Sequence, residues 1–245
     1  MALIKSLYRW LLPYQTRNRL HLLRYTTKYQ RIRHHSKDHP FNLFDKHKCL
    51  FIHIPKTGGV SVCSSLWSSK KDEMVIKSMG HFTARDYEII FGKATCKSYF
   101  KFTFVRNPWS RVLSSYQFLK QGGFNSRDRA WAEKHLSRFS SFNEFVVEWI
   151  NHRNIYRALH FIPQYEFLKS VNEEVKMDFI GRLENIDSDF DEIKNKLGIS
   201  CQLRHYNKSN LIRPVTNYRE LYTQETRDII ANVYRKDIDI FNYRF

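Results

Sequence analysis

Three short runs rich in β-branched and aromatic residues recur along the chain: CLFIHI (49–54), YFKFTFV (99–105) and MDFIGRL (177–183). Each is followed by a turn and then a helical pattern. This alternation constrains the fold more than any other feature. Short runs that are apolar along their length suit strands buried on both faces. Strands alternating with helices predict an α/β fold, a mainly parallel sheet flanked by helices. Helices are expected at VSVCSSLWS and at WSRVLSSYQFLKQ, where Trp109, Val112, Leu113, Tyr116 and Leu119 form an apolar stripe and Pro108 takes a first-turn position. SFNEFVVEWI is predicted helical from Ser141 and Glu144 at capping-box spacing, and DSDFDEIKNKLG from inward Phe190, Ile193 and Leu197 and its stop at Gly198. TQETRDIIANVYRKDIDIF reads as one long helix, and GGFNSRDRAWAEKHLSRFS as an irregular polar excursion.

The chain has 245 residues and 42% hydrophobic content, enough for a sizeable core. Its 41 Lys and Arg outnumber 24 Asp and Glu, a net charge of +17. Such an excess implies a polyanionic partner: nucleic acid, acidic lipid, a phosphorylated cofactor or an acidic glycan. Cys49, Cys63, Cys96 and Cys201 are scattered and none forms C-x-x-C, so no metal site is expected. Sparse cysteines suit a reducing compartment. No apolar run reaches membrane-spanning length, and residues 1–15 are broken by Lys5 and Arg9, so a cytoplasmic location is expected. Residues 1–47 read as a basic, partly helical arm ahead of a domain at 48–245. In MALIKSLYRWLL, Leu3, Ile4, Leu7, Tyr8 and Leu11 share one helical face. Two readings stand: peripheral membrane contact through residues 1–40, or a basic helix packed on the domain.

The first strand runs into PKTGGVS. In a parallel α/β sheet, ligands bind at the carboxyl ends of the strands, and this turn lies there. Gly58 and Gly59 permit close approach of backbone N–H groups to an anion, and the following helix N-terminus adds partial positive charge. Lys56 adds a full charge; Thr57 and Ser61 add hydroxyls. The turn therefore suits a phosphate or sulfate. It is not a Walker A loop, in which lysine follows the glycines. Arg106 ends the second strand and Ser114 lies about two helical turns further on, so the two could hold another phosphate, with Arg111 on the intervening turn. His53 is expected to pack within its strand.

The ordered wording FIHIPKTGG, GHFTARDY, YFKFTFVRNPWSRVLSSY and FIGRLEN resembles the carbohydrate sulfotransferases of the family-2 type, from about Lys48 to Phe245. PKTGGVS resembles their 5′-phosphosulfate loop, and FVRNPWSRVLSSY their 3′-phosphate motif. The resemblance implies a fold similar to P-loop kinases, the donor 3′-phosphoadenosine 5′-phosphosulfate (PAPS) and a glycan acceptor. By position, Lys56, Thr57, Gly58, Gly59, Val60 and Ser61 would cradle the 5′-phosphosulfate, and Arg106 and Ser114 the 3′-phosphate. The loop LRHYNKSN resembles the segment that closes over the nucleotide, which makes Asn207, Lys208 and Ser209 further candidates. His81 matches the position of the general base, with Glu184 in reserve.

Sulfuryl transfer suits these residue types. Charge develops on the leaving phosphate oxygen, where Lys56 and backbone donors would stabilise it, and the attacking hydroxyl needs a base. Two other readings remain: a basic module that binds nucleic acid or acidic polysaccharide without catalysis, and a kinase-like phosphotransferase. The order of the two motifs disfavours the first, so no nucleic-acid partner is expected; the placement of Lys56 disfavours the second. Acceptor contacts are expected from residues 122–140, where Arg127, Arg129, Lys134 and Arg138 hint at an acidic glycan.

Overall fold

A computed structural model describes Leu12 and residues 14–24, 26–35, 40–67, 80–205 and 217–245. The apolar face expected within residues 1–11 and the candidates Asn207, Lys208 and Ser209 lie outside the described residues.

In chain order the elements begin with helices α1 (Tyr14–Arg24), α2 (Thr26–His35) and α3 (Pro40–His47), then strand β1 (Cys49–Ile52) and helix α4 (Gly59–Leu66). Helices α5 (Ala84–Phe91) and α6 (Lys93–Ser98) lead to β2 (Phe100–Val105), followed by α7 (Pro108–Lys120), α8 (Ser126–His135) and α9 (Phe142–Trp149). A short helix α10 (Gln164–Leu168) precedes β3 (Phe179–Arg182) and α11 (Ile186–Leu197). The chain ends in α12 (Gln224–Val233) and α13 (Arg235–Phe241). It forms two compact units, residues 1–105 with 164–210 and residues 106–163 with 211–245.

The first unit contains the sheet. Among the described residues it is three-stranded and parallel, in the order β1-β2-β3, with Ile52 paired to Thr103 and Val105 to Arg182. Every β1 residue is buried, as expected of a strand covered on both faces. Aromatic rings fill the core beside it: Phe51 stacks on Phe102 at 5.0 Å, and Phe44 meets Trp67 edge-on at 5.4 Å. Phe41 and Phe44 of α3 are fully buried, so the tail of the basic arm contributes to this core. Helix α5 starts at a capping box between Thr83 and Asp86, worth about 1 kcal/mol. Tyr87 on α5 donates to the Phe51 carbonyl (3.1 Å) and fixes the helix against β1.

The second unit is helical. The predicted stripe on α7 is buried throughout, and four of its residues, Trp109, Val112, Tyr116 and Leu119, pack with Phe145, Phe161, Ile230 and Tyr234 in one apolar cluster. Three expectations are corrected here. The polar excursion contains α8, capped by Asn125 and holding Ala132 inward. Glu144 accepts from Ser140 rather than completing its half of the capping box, although Ser141 does cap the helix. The expected C-terminal helix is two helices that break at Tyr234, whose hydroxyl donates to the Phe161 carbonyl (2.7 Å) from a fully buried position.

Candidate active site

In the first unit, β1 leads through His53 and Ile54 into the turn Pro55–Gly58, which opens α4. Lys56 has φ 69° and Gly58 φ 81°. The left-handed conformation costs a residue with a Cβ roughly 1–2 kcal/mol, so Lys56 is held there by its surroundings. Part of that hold is Thr57, fully buried, whose hydroxyl donates to the Ile54 carbonyl at 3.0 Å. The hydroxyl is thus turned into the protein and engaged there. Gly58 is required by its φ, and a Cβ there would also push the Leu183 side chain, whose Cδ1 would lie 2.7 Å away, out of place. Gly59 is required by packing alone: a Cβ there would sit 2.0 Å from His53 Cδ2. The first N–H groups of α4 have no intrahelical acceptor and face the turn, an arrangement suited to an anion. Ser61 is nearly buried, and its carbonyl accepts from the Ser65 hydroxyl at 2.7 Å.

His81 stands two residues before the Thr83 cap of α5. Its Nδ1 lies 2.8 Å from the His53 carbonyl oxygen. A carbonyl can only accept, so Nδ1 carries the proton and Nε2 is the basic nitrogen of the neutral ring. The His53 ring lies 4.3 Å from the His81 ring, centroid to centroid, and stacks on Phe51 at 5.7 Å. Burial first, and the neighbouring His81 second, push His53 well below the usual histidine range, against a smaller opposing effect of the Gly80 backbone. His53 therefore stays neutral. It touches both the glycine that opens α4 and the histidine before α5. Sequence reasoning missed this role; the available signal was a polar residue inside an otherwise apolar run.

Glu184 is exposed on a short turn (Leu183–Asn185) directly after β3. Its neighbours Leu183 and Ile186 are the residues that press on Gly58, which places Glu184 at the same sheet edge as the turn.

In the second unit, Arg106 directly follows the last residue of β2. Its Nε donates to Ser110 Oγ at 2.9 Å, and half-buried Ser114 stands one turn beyond Ser110 on α7. Ser110, overlooked in the sequence, thus lies on the same line as Arg106 and Ser114. Asn107 caps α7 and also donates to the Arg244 carbonyl at 2.8 Å. Arg111 is the exception to the expected arrangement. It is 1% exposed, donates to the Ile162 carbonyl (3.0 Å) and lies near Tyr234 and Asp237, so it is a core cation rather than a phosphate ligand.

The sequence profile of the sulfotransferase family matches residues 39–244. The chain belongs to the sulfotransferase family. Its match begins at the helix that supplies Phe41 and Phe44. The chain is 36% identical over 114 residues to an uncharacterized protein of Archaeoglobus fulgidus, covering 46% of this chain and 78% of that one. It is 26% identical to carbohydrate sulfotransferase 14 of Danio rerio over 134 residues, 49% of this chain and 36% of the relative. Similarity to carbohydrate sulfotransferase 9 of Homo sapiens is 22% over 276 aligned positions, 94% of this chain and 60% of the relative. The chain thus spans less than two thirds of either carbohydrate sulfotransferase. No solved structure matches it.

Proposed function

We propose that this sulfotransferase moves the sulfuryl group of PAPS to a hydroxyl of a carbohydrate. One observation carries the reading: the turn from Pro55 to Gly59, where Gly58 takes a left-handed φ, Gly59 leaves no space for a Cβ beside His53, and a strained lysine stands before the N-terminus of α4. Such a cradle fits a tetrahedral anion approached by backbone, and family membership says which group is transferred.

In this reading Lys56 and the N–H groups from Thr57 to Ser61 hold the 5′-phosphosulfate. Arg106, aided by Ser110 and Ser114, holds the 3′-phosphate, and Asn207, Lys208 and Ser209 border the nucleotide. Transfer is in line: an S–O bond forms to the acceptor oxygen as the bond to the phosphate oxygen breaks. The electron pair goes to that phosphate oxygen, next to Lys56, and the hydroxyl proton goes to His81 Nε2. The hydrogen bond from His81 Nδ1 to the His53 carbonyl supports this assignment, because it sets the tautomer a base requires. The acceptor is an acidic glycan, contacted by the exposed Arg127, Arg129 and Lys134 around α8.

The test is a transfer assay with sulfur-labelled donor over a panel of sulfated, uronate-containing and neutral glycans. Label in an acidic glycan supports the reading. Donor hydrolysis without transfer to any sugar would refute the acceptor class.

A further inference from the structure

We infer that α1 and α2 form a docking surface for a bilayer carrying anionic lipids. No Asp or Glu occurs between Tyr14 and His35. Helix α2 has two distinct sides. Its inner side carries Arg33, which pairs with Asp45 through two nitrogens (2.8 and 2.7 Å) and lies 4.3 Å above the Phe91 ring, and Tyr29, edge-on to Phe82 at 5.8 Å. Burial alone would raise the Asp45 carboxyl, but hydrogen bonds from Arg33 and Tyr99 outweigh it and hold the group below its ordinary value. The pair therefore stays charged and anchors the helix to the body of its unit. The outer side of α2 carries exposed Lys28 and Arg31.

Helix α1 adds an exposed apolar and basic face of its own. Leu20 and Leu23 are 46% and 55% exposed, one turn apart, with exposed Arg19 and Arg24 beside them. Thr26 Oγ1 donates to the Leu23 carbonyl (3.2 Å) at the junction of the two helices.

Three classes of polyanion fit four exposed cations, but only one fits the leucines. A nucleic acid or an acidic glycan would engage Arg19, Arg24, Lys28 and Arg31 and leave Leu20 and Leu23 in water. A lipid surface takes both, with the leucines entering the headgroup–acyl boundary and the cations meeting anionic headgroups. Among the described residues no helix is long and apolar enough to cross a membrane, so the contact is with the surface. This inference is independent of the sulfuryl-transfer reading.

The experiment is co-sedimentation of the full chain with vesicles of phosphatidylcholine alone and with about one third phosphatidylglycerol. Strong binding to the anionic vesicles and little to the neutral ones is expected. Each juxtamembrane cation contributes about fivefold, so Arg19→Ala/Arg24→Ala should weaken partitioning about 25-fold. Leu20→Ser/Leu23→Ser should weaken it at least about tenfold with the charges unchanged. Raising salt from 0.1 to 0.5 M should release most of the protein. Three results overturn the inference: no binding of wild type to anionic vesicles at low salt, equal binding to neutral vesicles, or leucine variants that bind as well as wild type. The last, with the arginine variant impaired, would identify a surface for soluble polyanions. Circular dichroism checks the fold of each variant, and the lipid and salt comparisons on wild type stand without them.

Discussion

Replacing Gly59 by Ala isolates the contact between the α4 turn and His53. The new Cβ would lie 2.0 Å from His53 Cδ2 and 2.3 Å from Nε2, where ordinary contact begins at 3.4 Å. The ring would have to retreat by about 1.4 Å. It cannot swing freely, because Phe51 stacks on it and His81 lies 4.3 Å away. Overpacking of this kind costs about 1–3 kcal/mol. Alanine's greater helix propensity works the other way by at most about 1 kcal/mol, and less at a first helical position. The clash wins, and we expect a net loss of about 1–2 kcal/mol. For a chain of this size that lowers the melting temperature by about 2–8 °C in a circular-dichroism scan. His53→Ala removes the atoms in conflict, so Gly59→Ala should cost almost nothing in that background. The double-mutant cycle should show a coupling above about 1 kcal/mol. A Gly59→Ala protein as stable as wild type, or strictly additive losses, would refute the packing of His53 on the turn.

Three further outcomes follow from the same geometry. Lys56→Ala should lower turnover by at least about 10²-fold while nucleotide affinity changes little, and turnover near normal with weakened affinity would make Lys56 an anchor only. His81→Ala should lower turnover by about 10²–10⁴-fold with donor binding intact; near-normal turnover would move the base to Glu184. Stability should fall with acidity, because His53 is held neutral when folded but titrates near about 6.5 when unfolded. Below that pH the unfolded chain binds the extra proton, and stability drops by up to about 1.4 kcal/mol per pH unit from this group. Half-buried His47 and His135, whose pKa values are also lowered, first by burial, act in the same direction. Urea midpoints at pH 7.5 and 5.5 should show the drop, and a smaller one for His53→Gln. Identical slopes would mean that His53 is not the titrating group.

Strand β1 was legible because every residue of it is buried, so it reads as an unbroken apolar run; β2 is buried over its second half, and β3, whose Ile180 is exposed, was legible from its place between a turn and a helical pattern. The turn was legible because glycines and a lysine between a strand and a helix have few other uses. What escaped depends on contacts between distant residues. His53 acquires its role from His81, reached only through the fold. Arg111 lies on the turn between Arg106 and Ser114 by helical spacing, but it faces the Ile162 carbonyl inside the helical unit. Helix α8 was hidden by a polar sequence that buries little more than Ala132 and its capping Leu136. The break at Tyr234 has no glycine or proline to announce it; a tertiary hydrogen bond to Phe161 accompanies it. Phe41 and Phe44 belong to the core although they sit at the end of a basic stretch, where charge masked the apolar pair.

The central claim is a donor site that reads both phosphates of the nucleotide. In the proposed site Arg106 would offer the 3′-phosphate a planar fork of donors, which lysine does not reproduce. Calorimetric titration without magnesium, of adenosine 3′,5′-bisphosphate against adenosine 5′-phosphate, tests it most directly. The account predicts that the bisphosphate binds at least about tenfold more tightly to wild type, the equivalent of one charge-assisted hydrogen bond, and that Arg106→Lys erodes the difference. Equal affinities in wild type would contradict it.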